Sequence, residues 1–100
     1  MNYRVEVMPA AEAAIDAFID FIANKRQQPI NAVRVLRRIR STIDRLESFP
    51  HSAGYAPENE HRDYEIRMRL VANCLLLFNI DEDSHTVRVI GFRHSSRMPR

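Results

Sequence analysis

The sequence has little cysteine, glycine or lysine, and no tryptophan. Of its 100 residues, one is cysteine, two are glycine and one is lysine. Cys74 cannot form a disulfide within the chain, so a small secreted scaffold held by disulfides is excluded. The two glycines exclude collagen-like and glycine-rich flexible segments. Cys74 begins the apolar run Cys74–Phe78, where a buried and unreactive thiol is expected rather than a nucleophile.

Long hydrophobic runs are also missing. No segment approaches the ~18 apolar residues of a membrane-spanning helix. The first residues alternate charged and apolar side chains, where a secretory signal would need a continuous apolar stretch. We therefore expect a cytoplasmic protein that does not bind membranes. With 45% hydrophobic and 28% charged residues, the chain is expected to form one domain over residues 1–100.

The basic residues are nearly all arginine. The sequence has fifteen lysines and arginines against thirteen acids, a net charge of +2, and Lys25 is the one lysine. Arginine favours planar, bidentate recognition of phosphate or carboxylate groups. No acid follows Asp83, although four arginines do. The sequence is equally consistent with a solvated charged surface, which is what most charge runs form.

Hydrophobic periodicity predicts one strand and two helices in the first half. Apolar residues alternate with charged ones over Tyr3–Val7, as in a β-strand. Apolar spacings of three and four predict helices over 10–25 and 30–48, each opened by a proline. The exposed face of the second helix carries Arg34, Arg37, Arg38 and Arg45. The short break between the helices predicts an antiparallel hairpin.

The second half reads as three strands. Residues 51–63 follow Pro50, contain Gly54 and Pro57, show no periodicity and are predicted as a loop. Alternation predicts a strand over 64–70, and apolar runs predict strands over 74–80 and 86–92, followed by a basic tail. The order β-α-α-β-β-β indicates an α+β fold, an antiparallel sheet with the helical hairpin packed on one face. The predicted core comprises Ile15, Phe18, Ile22, Leu36, Ile39, Ile43, Leu46, Leu76 and Phe78.

Common catalytic motifs are not found. The sequence has no glycine-rich phosphate loop, and His51 and His61 are not spaced as zinc ligands. Two serines follow His94, but no carboxylate is placed to orient that histidine for a hydrolase triad. We expect neither a metal nor a cofactor.

Arginines from two strands form the informative group. Arg67 and Arg69 share one strand face because the strand period is two. Arg93 and Arg97 lie near the end of the last strand, and neighbouring strands can bring all four to one phosphate- or target-binding surface. His94 could supply a proton near neutral pH. A solvated face paired with Glu58, Glu60 and Glu65 is the alternative.

The ordered set of local patterns resembles the RelE/ParE superfamily of toxins from bacterial type II toxin–antitoxin modules. Tyr3–Val7 with Pro9 resembles the first strand and helix start of these toxins. Residues 46–50, Leu-Glu-Ser-Phe-Pro, resemble the exit from the second helix. Leu76–Asp81 and Val87–Arg97, with an Arg-His-x-x-Arg ending, resemble the later strands. The resemblance covers nearly the whole chain and implies the fold given above.

The resemblance implies one of two activities. RelE-like members cleave mRNA on the ribosome, whereas ParE-like members poison DNA gyrase. RelE itself uses a lysine-rich centre and a tyrosine near its C-terminus, and this sequence has neither. The closing arginine-histidine pattern fits ParE-like members, which favours a gyrase inhibitor. In both cases the partner implied is a cognate antitoxin encoded by the adjacent reading frame.

The alternative, a YoeB-like mRNA interferase, implies a catalytic set. Glu58 or Glu60 would act as the base, and His94 would protonate the leaving oxygen. Arg67, Arg69 and Arg93 would hold the phosphate and stabilise its developing charge. The YoeB-like subgroup has an aromatic residue after the histidine, where this sequence has a serine. A purely regulatory member that binds only its antitoxin is the third possibility.

Overall fold

A computed structural model describes residues 2–58 and 65–95 of the chain. The elements are β1 (Arg4–Val7), α1 (Pro9–Asp20), a π-helical turn (Phe21–Lys25), α2 (Pro29–Arg45), a 3-10 helix (Pro50–Ser52), β2 (Gly54–Tyr55), β3 (Arg67–Val71), β4 (Cys74–Asp81) and β5 (Thr86–His94). Tyr64, the first residue of the strand predicted over 64–70, lies outside the described residues. Among the helices that are described, none is long and apolar enough to cross a membrane.

Proline opens each of the two long helices, as predicted. Pro9 and Pro29 stand in the first turn, where the missing N–H costs no helical hydrogen bond. The π-helical turn extends α1 to the predicted end of the first helix, with the Arg26 N–H donating to the Phe21 carbonyl at 3.1 Å. α2 ends at Arg45, three residues before the predicted position.

The sheet has five strands in the order β1-β5-β4-β3-β2. β3, β4 and β5 form an antiparallel meander, as predicted. β1 pairs in parallel with β5, with Val5 opposite Val87, so the sheet is mixed rather than wholly antiparallel. Alternation in a sequence specifies a strand but not the direction of its partner, which depends on how the chain connects the strands.

β2 lies within the segment predicted to be a loop. Gly54 pairs with Met68, and Tyr55 pairs with Arg67. Two residues are too few to show a strand period in sequence. This edge strand brings the chain that follows α2 alongside β3.

Both faces of the sheet carry apolar side chains. The larger cluster lies under the helices and includes Ile15, Ile39, Leu76 and Phe78, all fully buried. The smaller cluster lies on the opposite face and consists of Ala56, Ile66, Leu75 and Leu77. This arrangement explains why the sequence of β4 is apolar on both faces.

Two members of the predicted core are only half-buried. Phe18 and Leu36 pack against the edge of the larger cluster. In α2, Val35 takes the buried position that the sequence pattern assigned to Leu36. The two residues are adjacent and both apolar, so the helical period alone does not decide which one faces the sheet.

Candidate functional site

The strand register divides the predicted site residues between the two faces of the sheet. Arg67 pairs with Phe78 and His94 pairs with Cys74, so both lie on the face that carries the helices. Arg93 pairs with Leu75, a member of the cluster on the opposite face. β5 continues through His94, and adjacent residues of a strand point to opposite sides.

Arg67 holds the segment that follows α2. Its guanidinium donates to the carbonyl of Ala53 at 2.9 Å and to that of His51 at 3.2 Å. The same group lies 4.6 Å from the centre of the Tyr55 ring, a cation–π contact. The side chain is only 14% exposed. Arg69, two residues along the same face, donates to the Ser52 hydroxyl.

Arg93 and Glu58 form a bidentate ion pair on the opposite face. Arg93 Nε donates to Glu58 Oε2 at 2.6 Å, and Nη2 donates to Oε1 at 3.0 Å. Both side chains are largely buried, with 18% and 14% exposed. The hydrogen bond to Glu58 raises the pKa of Arg93, against the opposing effect of desolvation. The pair joins the start of the 58–65 connection to the end of β5.

Arg67 and His94 lie at opposite ends of the sheet. His94 pairs with Cys74, which pairs with Val71, and Val71 is four residues beyond Arg67 in β3. Four residues along a strand span about 13 Å, and two strand spacings add about 10 Å across it, so their Cα atoms are about 16 Å apart. The fold therefore does not bring these two predicted site residues together.

His94 stands at the rim of an open groove between the helices and the sheet. The groove, which we call the aromatic groove, has a volume of about 620 Å³. Its walls are Ala14, Ala17, Phe18, Phe21, Cys74 and Phe92, with Arg93 and His94 at one end. The Phe18 and Phe92 rings contact each other with centroids 5.5 Å apart, whereas Phe21 is 48% exposed. An apolar groove of this shape suits a peptide segment better than a phosphate group.

Cys74 lies at the floor of the aromatic groove and is buried, as predicted. Desolvation raises the pKa of its thiol, which disfavours the reactive thiolate. In residues 2–58 and 65–95, no group of three or more histidine, cysteine, aspartate or glutamate side chains is arranged to hold a metal ion. Glu60 and Arg97, two further predicted site residues, lie outside the described residues.

The sequence offered Glu58 as an ion-pair partner of the arginines, but it did not specify which one. The partner is Arg93, 35 residues away in the chain, and no local pattern signals that choice. Sequence reasoning missed that Arg93 and His94 face opposite sides. This could have been found by extending the alternation of the last strand by two residues.

Comparison with solved structures finds the same fold in toxin–antitoxin complexes. The chain is similar to one from the chromosomal ParDE system of P. aeruginosa, with a TM-score of 0.71, 13% identity, and coverage of 92% of this chain and 95% of that one. It is similar to a chain from the archaeal RelE–RelB complex of Pyrococcus horikoshii, with a TM-score of 0.60 and 13% identity; the match covers 98% of this chain and 100% of that one. A third similar chain, from the RelBE2 complex of Mycobacterium tuberculosis, has a TM-score of 0.51 and 17% identity; the match covers 94% of this chain and 99% of that one.

These structures place the chain in the α+β class of RelE/ParE-like proteins. The family model described as the ParE toxin of the type II toxin–antitoxin system parDE matches residues 5–99. The chain therefore belongs to the ParE toxin family, and the resemblance seen in its sequence is confirmed. Among curated proteins, none matches the chain.

Proposed function

We propose that this toxin acts by binding and inhibiting DNA gyrase, without catalysing a reaction of its own. The main observation behind this proposal is that the residues an mRNA interferase would need are far apart in the fold. Arg67 is engaged with backbone carbonyls at one end of the sheet, about 16 Å from His94. Arg93 and Glu58 neutralise each other on the opposite face. Membership of the ParE family supports the same conclusion.

The partner that neutralises the toxin is an antitoxin encoded by the adjacent reading frame. The similar structures from P. aeruginosa, P. horikoshii and M. tuberculosis are all from toxin–antitoxin systems or complexes, which supports this partner. The aromatic groove suits the apolar side of an amphipathic antitoxin segment, since Phe21 stays half-exposed in the chain alone. Covering such a surface is a common mode of peptide recognition.

The experiment measures both candidate activities with the same purified chain. One arm follows supercoiling of relaxed plasmid by DNA gyrase and ATP. The other arm maps cleavage of mRNA in a purified translation mixture. We expect loss of supercoiling, recovery of supercoiling when the product of the adjacent frame is added, and intact mRNA.

The His94→Gln variant distinguishes the two activities, with His51→Gln as the matched control. If His94 is a contact residue, glutamine keeps a hydrogen-bond donor and most of the gyrase inhibition. If His94 is a general acid, its loss reduces mRNA cleavage about 10²–10⁴-fold, whereas His51→Gln leaves cleavage unchanged. Rapid cleavage by the unmodified chain that His94→Gln abolishes would establish the interferase instead. Absence of both activities, with antitoxin binding retained, would establish the purely regulatory member.

A further inference from the structure

The outer face of α2 carries a row of arginines that the fold itself does not use. The row consists of Arg34, Arg37, Arg38 and Arg45, and all four are exposed. In the described ranges, the guanidinium groups of these four residues make no hydrogen bond or ion pair. The fifth arginine of α2, Arg40, is different because it pairs with Glu12 of α1.

The row is held on a rigid support. At 100° per residue, its four positions fall within an arc of about 100°. Ala32, Val35, Ile39 and Ile43 occupy the other side of α2 and are buried. Burial of that side fixes the direction in which the arginines project. The two ends of the row, Arg34 and Arg45, are eleven positions apart, which gives a length of about 16 Å.

The charge of this surface is strongly positive. α2 has five arginines and one acid, Asp44, which makes a net charge of +4 for the helix. Asp44 lies beside the C-terminal end of the row and forms no ion pair with it. Within residues 2–58 and 65–95, no acidic side chain neutralises the row, so an anionic partner can bind it.

We propose that the arginine row of α2 binds the phosphate backbone of double-stranded DNA, independently of sequence. A duplex presents one phosphate charge per about 1.7 Å of its axis, so a row about 16 Å long meets several of them. Guanidinium groups bind phosphate oxygens in bidentate geometry, which fits a row built from arginine rather than lysine. This proposal stands apart from gyrase inhibition, because it concerns a surface of the toxin and DNA alone.

The composition of the helix favours duplex DNA over two other polyanions. Single-stranded nucleic acids are bound by aromatic side chains that stack on the bases, and α2 contains no aromatic residue. If the partner were an acidic protein, we would expect exposed apolar residues between the arginines of the row, because protein interfaces combine charged and apolar contacts. The exposed apolar residues of α2, Ile30 and Val33, instead precede the first arginine of the row.

The test is the binding of the full chain to a fluorescent 20-base-pair duplex of mixed sequence, followed by anisotropy between 50 and 200 mM salt. Four phosphate contacts predict a slope of log K against log salt of about −3.6. The double variants R34Q/R38Q and R37Q/R45Q should each reduce that slope by about 1.8. Their melting temperatures should equal that of the unmodified chain, because the four side chains are exposed.

The control variant is R4Q/K25Q, which removes the same charge from exposed positions outside α2. We expect the control to change the slope of log K against log salt by less than half of the change that each row variant causes. Equal losses in the control and in the row variants would overturn the proposal, because binding would then follow net charge alone. Tighter binding of a 20-nucleotide single-stranded RNA, or of poly-glutamate, would overturn it in favour of those partners. The assay contains no gyrase, mRNA or antitoxin, so its failure leaves the proposed function untouched.

Discussion

Arg67 shows how a residue typical of phosphate sites can have a structural task. Its guanidinium binds two carbonyl groups of the segment that follows α2 and contacts the Tyr55 ring. Arg69 binds Ser52 of the same segment. These contacts fix the segment that leads into β2, beside the place where β2 pairs with β3. Arginine suits this position because its planar group donates in several directions at once.

Replacing Arg67 with alanine should destabilise the fold. The change removes two charge-assisted hydrogen bonds from a mostly buried position, which costs about 1.5–3 kcal/mol. Urea denaturation gives the free energy of unfolding of each variant. Arg34→Ala is the matched control, and its exposed side chain should leave stability within about 0.5 kcal/mol. A loss for Arg67→Ala no greater than that of the control would show that these contacts do not support the fold.

The hairpin of α1 and α2 is joined by an ion pair between the two helices. Arg40 of α2 donates to both carboxylate oxygens of Glu12 in α1. The hydrogen bond from Arg40 lowers the pKa of Glu12, against the smaller opposing effect of desolvation. Both side chains are about 40% exposed, so solvent weakens the attraction and its contribution to stability is modest.

The contribution of this pair should depend on pH. Since the pKa of Glu12 is lower in the folded chain, the stabilisation is full above the unfolded value near 4.5. It is lost as the pH falls through the lower folded value. Glu12→Gln should therefore be about 0.5 kcal/mol less stable than the unmodified chain at pH 7. Thermal unfolding between pH 7 and pH 3 should show the two curves converging at the acid end. A constant difference over that range would contradict the assignment to Glu12.

The molecule as a whole is built around one large core and a smaller apolar cluster across the sheet. Side chains from both helices and from β3, β4 and β5 meet in the large core. The N-terminal strand is tied in by Tyr3, whose ring stacks on His85 at 3.8 Å and whose hydroxyl donates to Glu82 at 2.9 Å. Because every layer contributes to one core, the described elements should unfold together.

Truncation within α2 should test which side of the helix supports that core. Ile39 is fully buried, so Ile39→Ala should cost about 2–5 kcal/mol. Leu36 packs only at the edge of the core, so Leu36→Ala should cost less than Ile39→Ala although it removes as many carbon atoms. The free energies of unfolding from urea denaturation give the comparison. An equal or larger loss of stability for Leu36→Ala would mean that Leu36 faces the core, as the sequence pattern alone predicted.

The sequence by itself determined the two long helices, four of the five strands and their order along the chain. Helices α1 and α2 and strands β3, β4 and β5 follow from the spacing of apolar residues and from proline, which act between near neighbours in the chain. The family resemblance was also carried by short, ordered patterns of this kind. These features are local, so they can be read without knowing how the elements pack.

The tertiary structure decided the contacts between distant residues. The parallel pairing of β1 with β5, the ion pair of Glu58 with Arg93 and the hold of Arg67 on Ala53 all join residues well separated in the chain. Each depends on strand register and on the face to which a side chain points, and a shift of one residue would reverse that face. For this reason Arg67, Arg69 and Arg93, which the sequence offered as parts of a single phosphate site, belong to two faces of the folded protein.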